Sequence, residues 1–444
     1  MTYTIYIQYM DMFYSLIILY SLLCYLIYTH KYKSDKMHPT KKLKYAKSKL
    51  LDGKTIVVAV SSSIAAIETP KLMRELLRHG ADVRCIATEE SRKIIGEASL
   101  EFGCGAPIDY DITGKIEHVE LYEECDAMLI FPATANIVSK ISLGIADNII
   151  NTTATMFFEK KPIFIVPAMH QNMIDTIDNH LINLSGKKDV HIISPKMEEE
   201  KAKVPSIETV VGEVIDKLNK KENKDNNNNN KKVLILSGGT AEFIDKVRII
   251  SNLSSGKTGY LLSQCFIKDG FDVSVIYAMG KKPPYYVNSY NTLSATEMLN
   301  KALDIGKDAD IIISCAAISD YTPLEEQKGK ISSDKEELTI KLKKNPKVIK
   351  ELKKAFPNKI IVGFKAEYGI PEQELIEKSI KKLKDANLDY IVANDLSKHY
   401  FGDDYNEVIL IDKNNNIKKY KGKKSDIMEN IKNEIIANLR TFSH

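Results

Sequence analysis

Short apolar runs alternate along most of the chain with longer stretches in which apolar and charged residues recur at helical spacing. Thr55–Val60, Val83–Ala87, Ala127–Phe131 and Ile163–Val166 form a first series, rich in β-branched residues and bounded by turn formers. The first of these leads through Ser61-Ser62-Ser63-Ile64-Ala65-Ala66 into a helix predicted to run to Arg78. A second series follows at Val233–Leu236, Asp272–Tyr277, Ile311–Cys315, Ile360–Phe364 and Tyr390–Ala393, with helices between most of them. The first helix of that series is read at Leu261–Ile267. Val408–Ile411 and Ile417–Tyr420 flank Lys413-Asn414-Asn415-Asn416 as a late hairpin, and a last helix is expected from Ser425 to Leu439. Buried strands alternating with amphipathic helices predict parallel, doubly wound sheets, so the fold class is α/β with two Rossmann-like domains. The second carries a small antiparallel addition. In such sheets ligands sit at the carboxyl ends of the strands.

Between the two series lies Lys220–Lys232, KKENKDNNNNNKK, with no apolar residue. It cannot bury surface to offset its chain entropy and reads as a flexible tether. The expected domains are therefore 37–220 and 232–444, joined by 221–231 and preceded by an extension, 1–36. The extension contains the apolar run Met12–Tyr28, followed by His30-Lys31-Tyr32-Lys33, and is close to the roughly 17-residue minimum for a membrane span. It has neither a basic leader nor a small-residue cleavage site, so it is a poor secretory signal. An early-opened reading frame, with Met37 as the true start, is expected over a real anchor.

At 444 residues the chain exceeds one ordinary domain. Its 63 basic and 59 acidic residues leave a formal charge of +4, too slight to imply a nucleic-acid partner. The six cysteines show no CxxC pair and no metal-ligand spacing. They read as reduced, mostly buried thiols of a cytoplasmic protein, and no protein-held metal centre is indicated.

The chemistry-bearing stretch is Ser237–Tyr260, SGGTAEFIDKVRIISNLSSGKTGY, lying between a strand and a helix. Its spacing is not that of a Walker loop and fits GxGxxG poorly. Gly238, Gly239, Ser254, Ser255 and Gly256 would let two backbone loops approach one phosphate-bearing ligand, or form a pair of ordinary turns. As a whole, the run resembles phosphopantothenate–cysteine ligases of coenzyme A synthesis. Ala316-Ala317-Ile318-Ser319-Asp320-Tyr321, Lys330, Lys344-Asn345-Pro346, Gly363-Phe364 and Ala393-Asn394-Asp395 follow in the family's order. The resemblance implies that Ser314, Cys315, Ala316 and Asp320 border the nucleotide, while Pro346, Lys347, Val348, Ile349 and Phe364 wall its base. Lys330 would meet the triphosphate, Lys382 matches another phosphate-facing lysine, and Ala386 stands where a further family lysine is expected. Asn252 matches the asparagine that governs the acyl-nucleotide intermediate. The GGT…SSGKxG and AAxxDY pattern implies, by the same resemblance, CTP rather than ATP, with Mg²⁺ on the phosphates.

The first half resembles the flavin-dependent cysteine decarboxylases, with a flavodoxin-like fold. The motifs are SSSIAA, Pro132-Ala133-Thr134-Ala135-Asn136, Pro167-Ala168-Met169-His170, Gly144-Ile145-Ala146-Asp147-Asn148, and His118 in IEHVEL. The resemblance implies FMN held by Ser61, Ser62, Ser63, Thr88, Pro132, Ala133, Thr134 and Asn136, with His118 catalytic. His170 and Asn172 would meet substrate, and Lys201 and Lys203 would belong to a lid that closes over it. A flavin is needed because the carboxylate departs only once the neighbouring thiol has been oxidised to an electron-accepting thioaldehyde. Two departures stand out. His170 replaces the asparagine of the family's PAMN segment, and the lid segment Pro195–Pro205 has no cysteine where bacterial members place an acid. The missing cysteine, with Ser62 in place of a favoured glycine, leaves one rival: a ligase whose flavoprotein half is an inactive oligomerising scaffold. A membrane-anchored binding protein, resting on Met12–Tyr28, is the other. MHPTKKLKYAKSKLLDGKTIVVAV, beginning at Met37, resembles the start of archaeal-type fusions of decarboxylase and ligase. The substrates implied are phosphopantothenate, cysteine and CTP, and homo-oligomers are implied, with trimeric contacts in the first half and dimeric ones in the second.

Overall fold

The computed structural model describes residues 38–198, 201–222, 231–326, 329–332 and 336–439. The apolar run at 12–28 and most of the asparagine-rich tether lie outside them. Among the described residues no helix is long and apolar enough to cross a membrane. The chain divides into two compact units. One comprises Lys54–Leu77 and Ala81–Val204 with the described part of Met1–Lys44; the other comprises Tyr45–Gly53, Arg78–Gly80 and the described part of Pro205–His444.

The first unit is built on a parallel six-stranded sheet, ordered Ile108–Asp109, Asp82–Ala87, Thr55–Val60, Ala127–Ala133, Ile163–Pro167 and Val190–Ile192. The central strands read as continuous apolar runs because helices cover both faces. Val57, Ala59, Met128, Ile130, Ile163 and Ile165 supply one face of that core. The strand expected to stop at Phe131 continues to Ala133 through a cis Phe131–Pro132 peptide. Pro132 and Ala133 therefore belong to the strand and not to the loop after it. Its end is tied to the next strand by Ala168 N–H donating to Ala133 O at 3.0 Å. Lys196–Glu198 and Lys201–Lys203 form a hairpin whose second strand pairs antiparallel with Met169–His170, placing His170 opposite Lys201. The helix Ile207–Glu222, which runs two residues past the expected boundary at 220, falls in the second unit.

The second unit holds an eight-stranded sheet. Its order is Asn288–Asn291, Asp272–Tyr277, Lys232–Ser237, Ile311–Ser314, Ile360–Glu367, Tyr390–Asp395, Tyr405–Asp412 and Ile417–Lys423. All pairs are parallel up to Tyr390–Asp395, and the last two strands are the expected antiparallel addition. Their turn is closed by Asp412 Oδ1, which accepts from the N–H groups of Asn414 and Asn416. The helix Lys257–Lys268 begins four residues before the sequence pattern suggested, capped by Gly256 in the left-handed region. Two further hairpins are built from short strands: Ala241–Phe243 with Ile249–Ser251, and Tyr321–Pro323 with Leu342–Lys344.

Candidate functional site

In the second unit, the turns after the central strands are laced together by backbone. Gly239 N–H donates to Met279 O at 3.1 Å, Ala317 N–H to Gly238 O at 2.8 Å, and Thr240 N–H to Ala317 O at 3.2 Å. Gly238 has φ +82, and a Cβ there would lie 2.2 Å from Met279 O, so only glycine allows this approach. Ser319 N–H donates to Thr240 Oγ1, and Asn345 Nδ2 donates to Ser319 O at 2.9 Å. The motifs at 237–260, 316–321 and 344–346 are thus one hydrogen-bonded frame.

The frame borders a cavity of about 630 Å³ at the carboxyl ends of the strands. Ser314, Cys315, Ala316 and Asp320 line it, as do Pro346, Lys347, Val348, Ile349, Phe364 and Lys382. All ten residues expected around the nucleotide, Lys330 apart, are therefore brought together. Lys330 does not line the cavity. It is exposed in the segment 329–332, whose next residue is clamped from both sides: Ile331 N–H donates to Asp245 Oδ2 at 3.0 Å, and Arg248 Nη1 donates to Ile331 O at 3.2 Å. Asp245 itself is fully buried, and the N–H groups of Ile331, Val247 and Arg248 hold its carboxyl well below the usual range. Asn252 is at the cavity's edge and not in its wall, donating through Nδ2 to Ala317 O at 3.1 Å.

The lining is strongly cationic. Lys257, Lys350, Lys365, Lys378, Lys381 and Lys424 join Lys347 and Lys382, against Asp320, Glu367 and Asp385. Asp320 is engaged by Lys347 at 2.6 Å and Glu367 by Lys365 at 2.7 Å. Burial pushes Lys382 down to about 8, Lys365 and Lys347 add to the effect, and its ammonium donates to Phe364 O at 2.8 Å. Ala386 lines the cavity without a charge; Lys378 stands two turns earlier on the same helix, Glu372–Asp385. Sequence reasoning missed Lys257, Lys350, Lys365, Lys378, Lys381 and Lys424, and also the loop residues His399, Tyr400 and Phe401, which form another wall. Lys257 was visible in the SSGK motif, whereas the rest carry no local signal. Burial pushes the Cys315 thiol up to about 12, so it is a neutral wall group, donating to Leu236 O.

In the first unit, the expected flavin residues gather at the ends of the three adjacent strands Asp82–Ala87, Thr55–Val60 and Ala127–Ala133. Ser61 is buried, and its hydroxyl is used within the protein, donating to Pro132 O at 2.6 Å and accepting from Thr134 N–H at 3.2 Å. It joins two loops. Ser62 and Asn136 are exposed, and Ser63 caps the short helix Ile64–Glu68 by accepting from Ala65 N–H. Thr88 is the residue that asks for a ligand: its hydroxyl is buried without a hydrogen-bond partner among the described residues. His118 Nδ1, on the helix Glu117–Glu124, is likewise buried and unpartnered.

His170 caps the helix Gln171–Ser185, its Nδ1 accepting from Asn172 N–H at 3.3 Å, which leaves only Nε2 for another partner. The Asn172 side chain is exposed. A cavity of about 330 Å³ opens beside this helix, lined by Pro167, Gln171, Ile174, Leu181, Ile192, Ser194 and Pro195. Lys203 pairs across its hairpin with Glu198 at 3.3 Å. Four of the six cysteines are buried and Cys315 is half-buried, while Cys24 lies outside the described residues.

Fold and site together define a two-part α/β protein, one unit with unpartnered Thr88 and His118 groups among the described residues and the other with a cation-lined pocket. Comparison with known proteins agrees on both parts. Residues 44–219 match the Flavoprotein family, and residues 228–439 match the DNA/pantothenate metabolism flavoprotein C-terminal domain. The chain is 60% identical over 398 residues to the coenzyme A biosynthesis bifunctional protein CoaBC of Methanocaldococcus jannaschii, covering 90% of this chain and 97% of that protein. It is 39% identical over 407 residues to the protein of the same name from Thermococcus kodakarensis, covering 90% and 99%. A solved DNA/pantothenate metabolism flavoprotein from Streptococcus pneumoniae is 28% identical, with a TM-score of 0.43, over 47% of this chain and 99% of that one. The chain belongs to the family of coenzyme A biosynthesis bifunctional proteins, which join a phosphopantothenoylcysteine decarboxylase to a phosphopantothenate–cysteine ligase. Similarity across both halves favours two activities over a ligase carrying a spent scaffold.

Proposed function

We propose that the second unit joins 4'-phosphopantothenate to cysteine with CTP, and that the first unit decarboxylates the product to 4'-phosphopantetheine with FMN. The cation-lined cavity carrying all ten expected wall residues supports the ligase assignment most directly. There the substrate carboxylate attacks the α-phosphorus of CTP and pyrophosphate leaves, giving an acyl-cytidylate. The cysteine amine then attacks the acyl carbon and CMP leaves. The lysines offset the phosphate charge, and Mg²⁺, carried with the nucleotide, would add to that charge compensation. Asn252, fixed at the seam between the two turns, polarises the acyl-nucleotide carbonyl. Lys330 reaches the triphosphate from the segment clamped at Ile331.

The buried, unpartnered Thr88 hydroxyl at the strand ends fits a flavin, with the backbone of Ser62–Ser63 and Pro132–Thr134 beside it and Asn136 at the rim. A bound flavin supplies the electron sink that oxidises the cysteinyl thiol and returns the electrons after CO₂ departs. His118, its Nδ1 free among the described residues, takes the thiol proton. His170 Nε2 and Asn172 hold the pantothenoyl chain beside the 330 Å³ cavity. The hairpin bearing Lys201 and Lys203, which pairs with the His170 segment, acts as the lid. By resemblance to the family, the proposed enzyme is a cytoplasmic homo-oligomer.

The test is to supply the full chain with phosphopantothenate, cysteine, Mg²⁺ and either CTP or ATP, following product mass. A yellow protein forming phosphopantetheine with CTP alone is expected. Accumulating phosphopantothenoylcysteine would remove the decarboxylase assignment, and equal turnover with ATP would remove the CTP assignment.

A further inference from the structure

Among the described residues three lysines are more than nine-tenths buried: Lys353, Lys424 and Lys432, at 8%, 7% and 1% exposure. Two of them are compensated. Lys353 donates to Asp389 Oδ2 at 2.9 Å and Lys359 O at 3.0 Å, and Lys432 donates to Asp269 and to Glu429 at 2.6 Å. Neither lines the cavity. Lys424 does, and among the described residues its ammonium has no hydrogen bond and no ion pair. Burial lowers its pKa and Lys257 adds to this; Asp403, Cys315 and Asp404 oppose it, but the Asp404 carboxylate is already held by Lys257. A buried cation without a partner is costly unless a ligand completes it.

Across the same corner begins the 12-residue helix Lys257–Lys268, where Ser255 Oγ takes the Lys257 N–H at 3.4 Å and Gly256, Thr258 and Gly259 stand in the cavity wall. Its first N–H groups and its dipole favour an anion. This is the helix after the first strand of the sheet, at the point where the strand order reverses, and there a dinucleotide-type fold places phosphate.

We propose that Lys424 binds the phosphate chain of the nucleotide, completing an anion site with the start of the helix Lys257–Lys268. The proposal rests on the ligase reading above and adds a residue from the far end of the chain to it.

The experiment compares wild type, Lys424→Met and Lys424→Arg in the full chain. Binding of CTP and of phosphopantothenate is measured separately by calorimetry, KM and kcat for CTP are determined, and thermal unfolding is followed. Wild-type CTP binding is the control for the ligase reading, whose failure would show there and not in the variants. Lys424→Met is expected to weaken CTP about 10- to 100-fold, the value of one charged hydrogen bond. Its melting temperature should be unchanged or higher, because an uncompensated buried charge has gone. Lys424→Arg should recover most of the affinity, and phosphopantothenate binding should stay within twofold. The proposal is overturned if Lys424→Met binds CTP normally, or if only phosphopantothenate is weakened, which would assign the anion to the other substrate. A lower melting temperature with loss of both ligands would assign a structural role instead.

Discussion

Replacing Lys382 by methionine is expected to stabilise the second unit while weakening its hold on nucleotide. Burial holds this lysine near 8, against an ordinary 10.5. Between those values the unfolded chain binds more protons than the native one, so this residue's contribution to stability rises with pH across that window. Below about 8 the full penalty is present, and above 10.5 it has vanished. The difference corresponds to about 3 kcal/mol at neutral pH. Methionine also forfeits the bond to Phe364 O, which offsets about 1 kcal/mol, leaving a gain of about 2. A gain of that size raises the melting temperature of a unit this large by roughly 4–8 °C. Unfolding of wild type and Lys382→Met would be followed at pH 7 and pH 10, reading the transition that CTP shifts, since a two-unit chain is not one cooperative transition. The advantage should shrink towards pH 10. Triphosphate beside the ammonium should restore its proton, so calorimetry in buffers of differing ionisation enthalpy should show uptake of about half a proton at pH 8, absent in the variant. A variant less stable at pH 7, or a difference independent of pH, would refute the reasoning.

Thr88→Val should weaken FMN about 5- to 10-fold by flavin fluorescence without lowering the melting temperature, because the hydroxyl has no partner to lose among the described residues. His118→Asn should leave ligation intact and reduce CO₂ release at least about 100-fold, with phosphopantothenoylcysteine accumulating by mass spectrometry. Asp245→Asn should release Ile331 and with it the Lys330 segment, lowering ligation at least about tenfold. Decarboxylation of supplied phosphopantothenoylcysteine should not change.

The central strands of both sheets were legible because each is covered on both faces and so leaves an unbroken apolar run. Strands without that cover were not. Asn288–Asn291 is entirely exposed at the sheet edge and paired on one side, so nothing in its composition separates it from a loop. Ile108–Asp109 and Val190–Ile192 are too short for any period to register. The hairpin Ala241–Phe243 with Ile249–Ser251 lies inside the motif that drew the most notice, yet its turn is organised by the Asp245 carboxylate gripping the N–H groups of Val247 and Arg248. The motif displayed that aspartate without its purpose. Its second oxygen reaches Ile331, more than eighty residues on.

The site was legible where chemistry demands a particular backbone and obscure where it demands only charge. Gly238 can be read because no other residue tolerates its φ of +82 against Met279 O. A lysine carries no such mark in a chain with 63 basic residues. Lys432 and Lys424 lie eight residues apart on one helix, both buried, and no local pattern tells them apart. What separates them is company. Lys432 meets Asp269 and Glu429, and so contributes to the fold; Lys424 meets a cavity, and among the described residues no carboxylate pairs with it directly. Partners of a buried charge, and not the charge itself, distinguish structural lysines from binding ones, and those partners come from elements far apart in sequence. The same argument orders the first unit. Ser61 was the first residue expected to hold flavin, but its hydroxyl is already engaged by Pro132 and Thr134, while the Thr88 hydroxyl lacks a partner among the described residues.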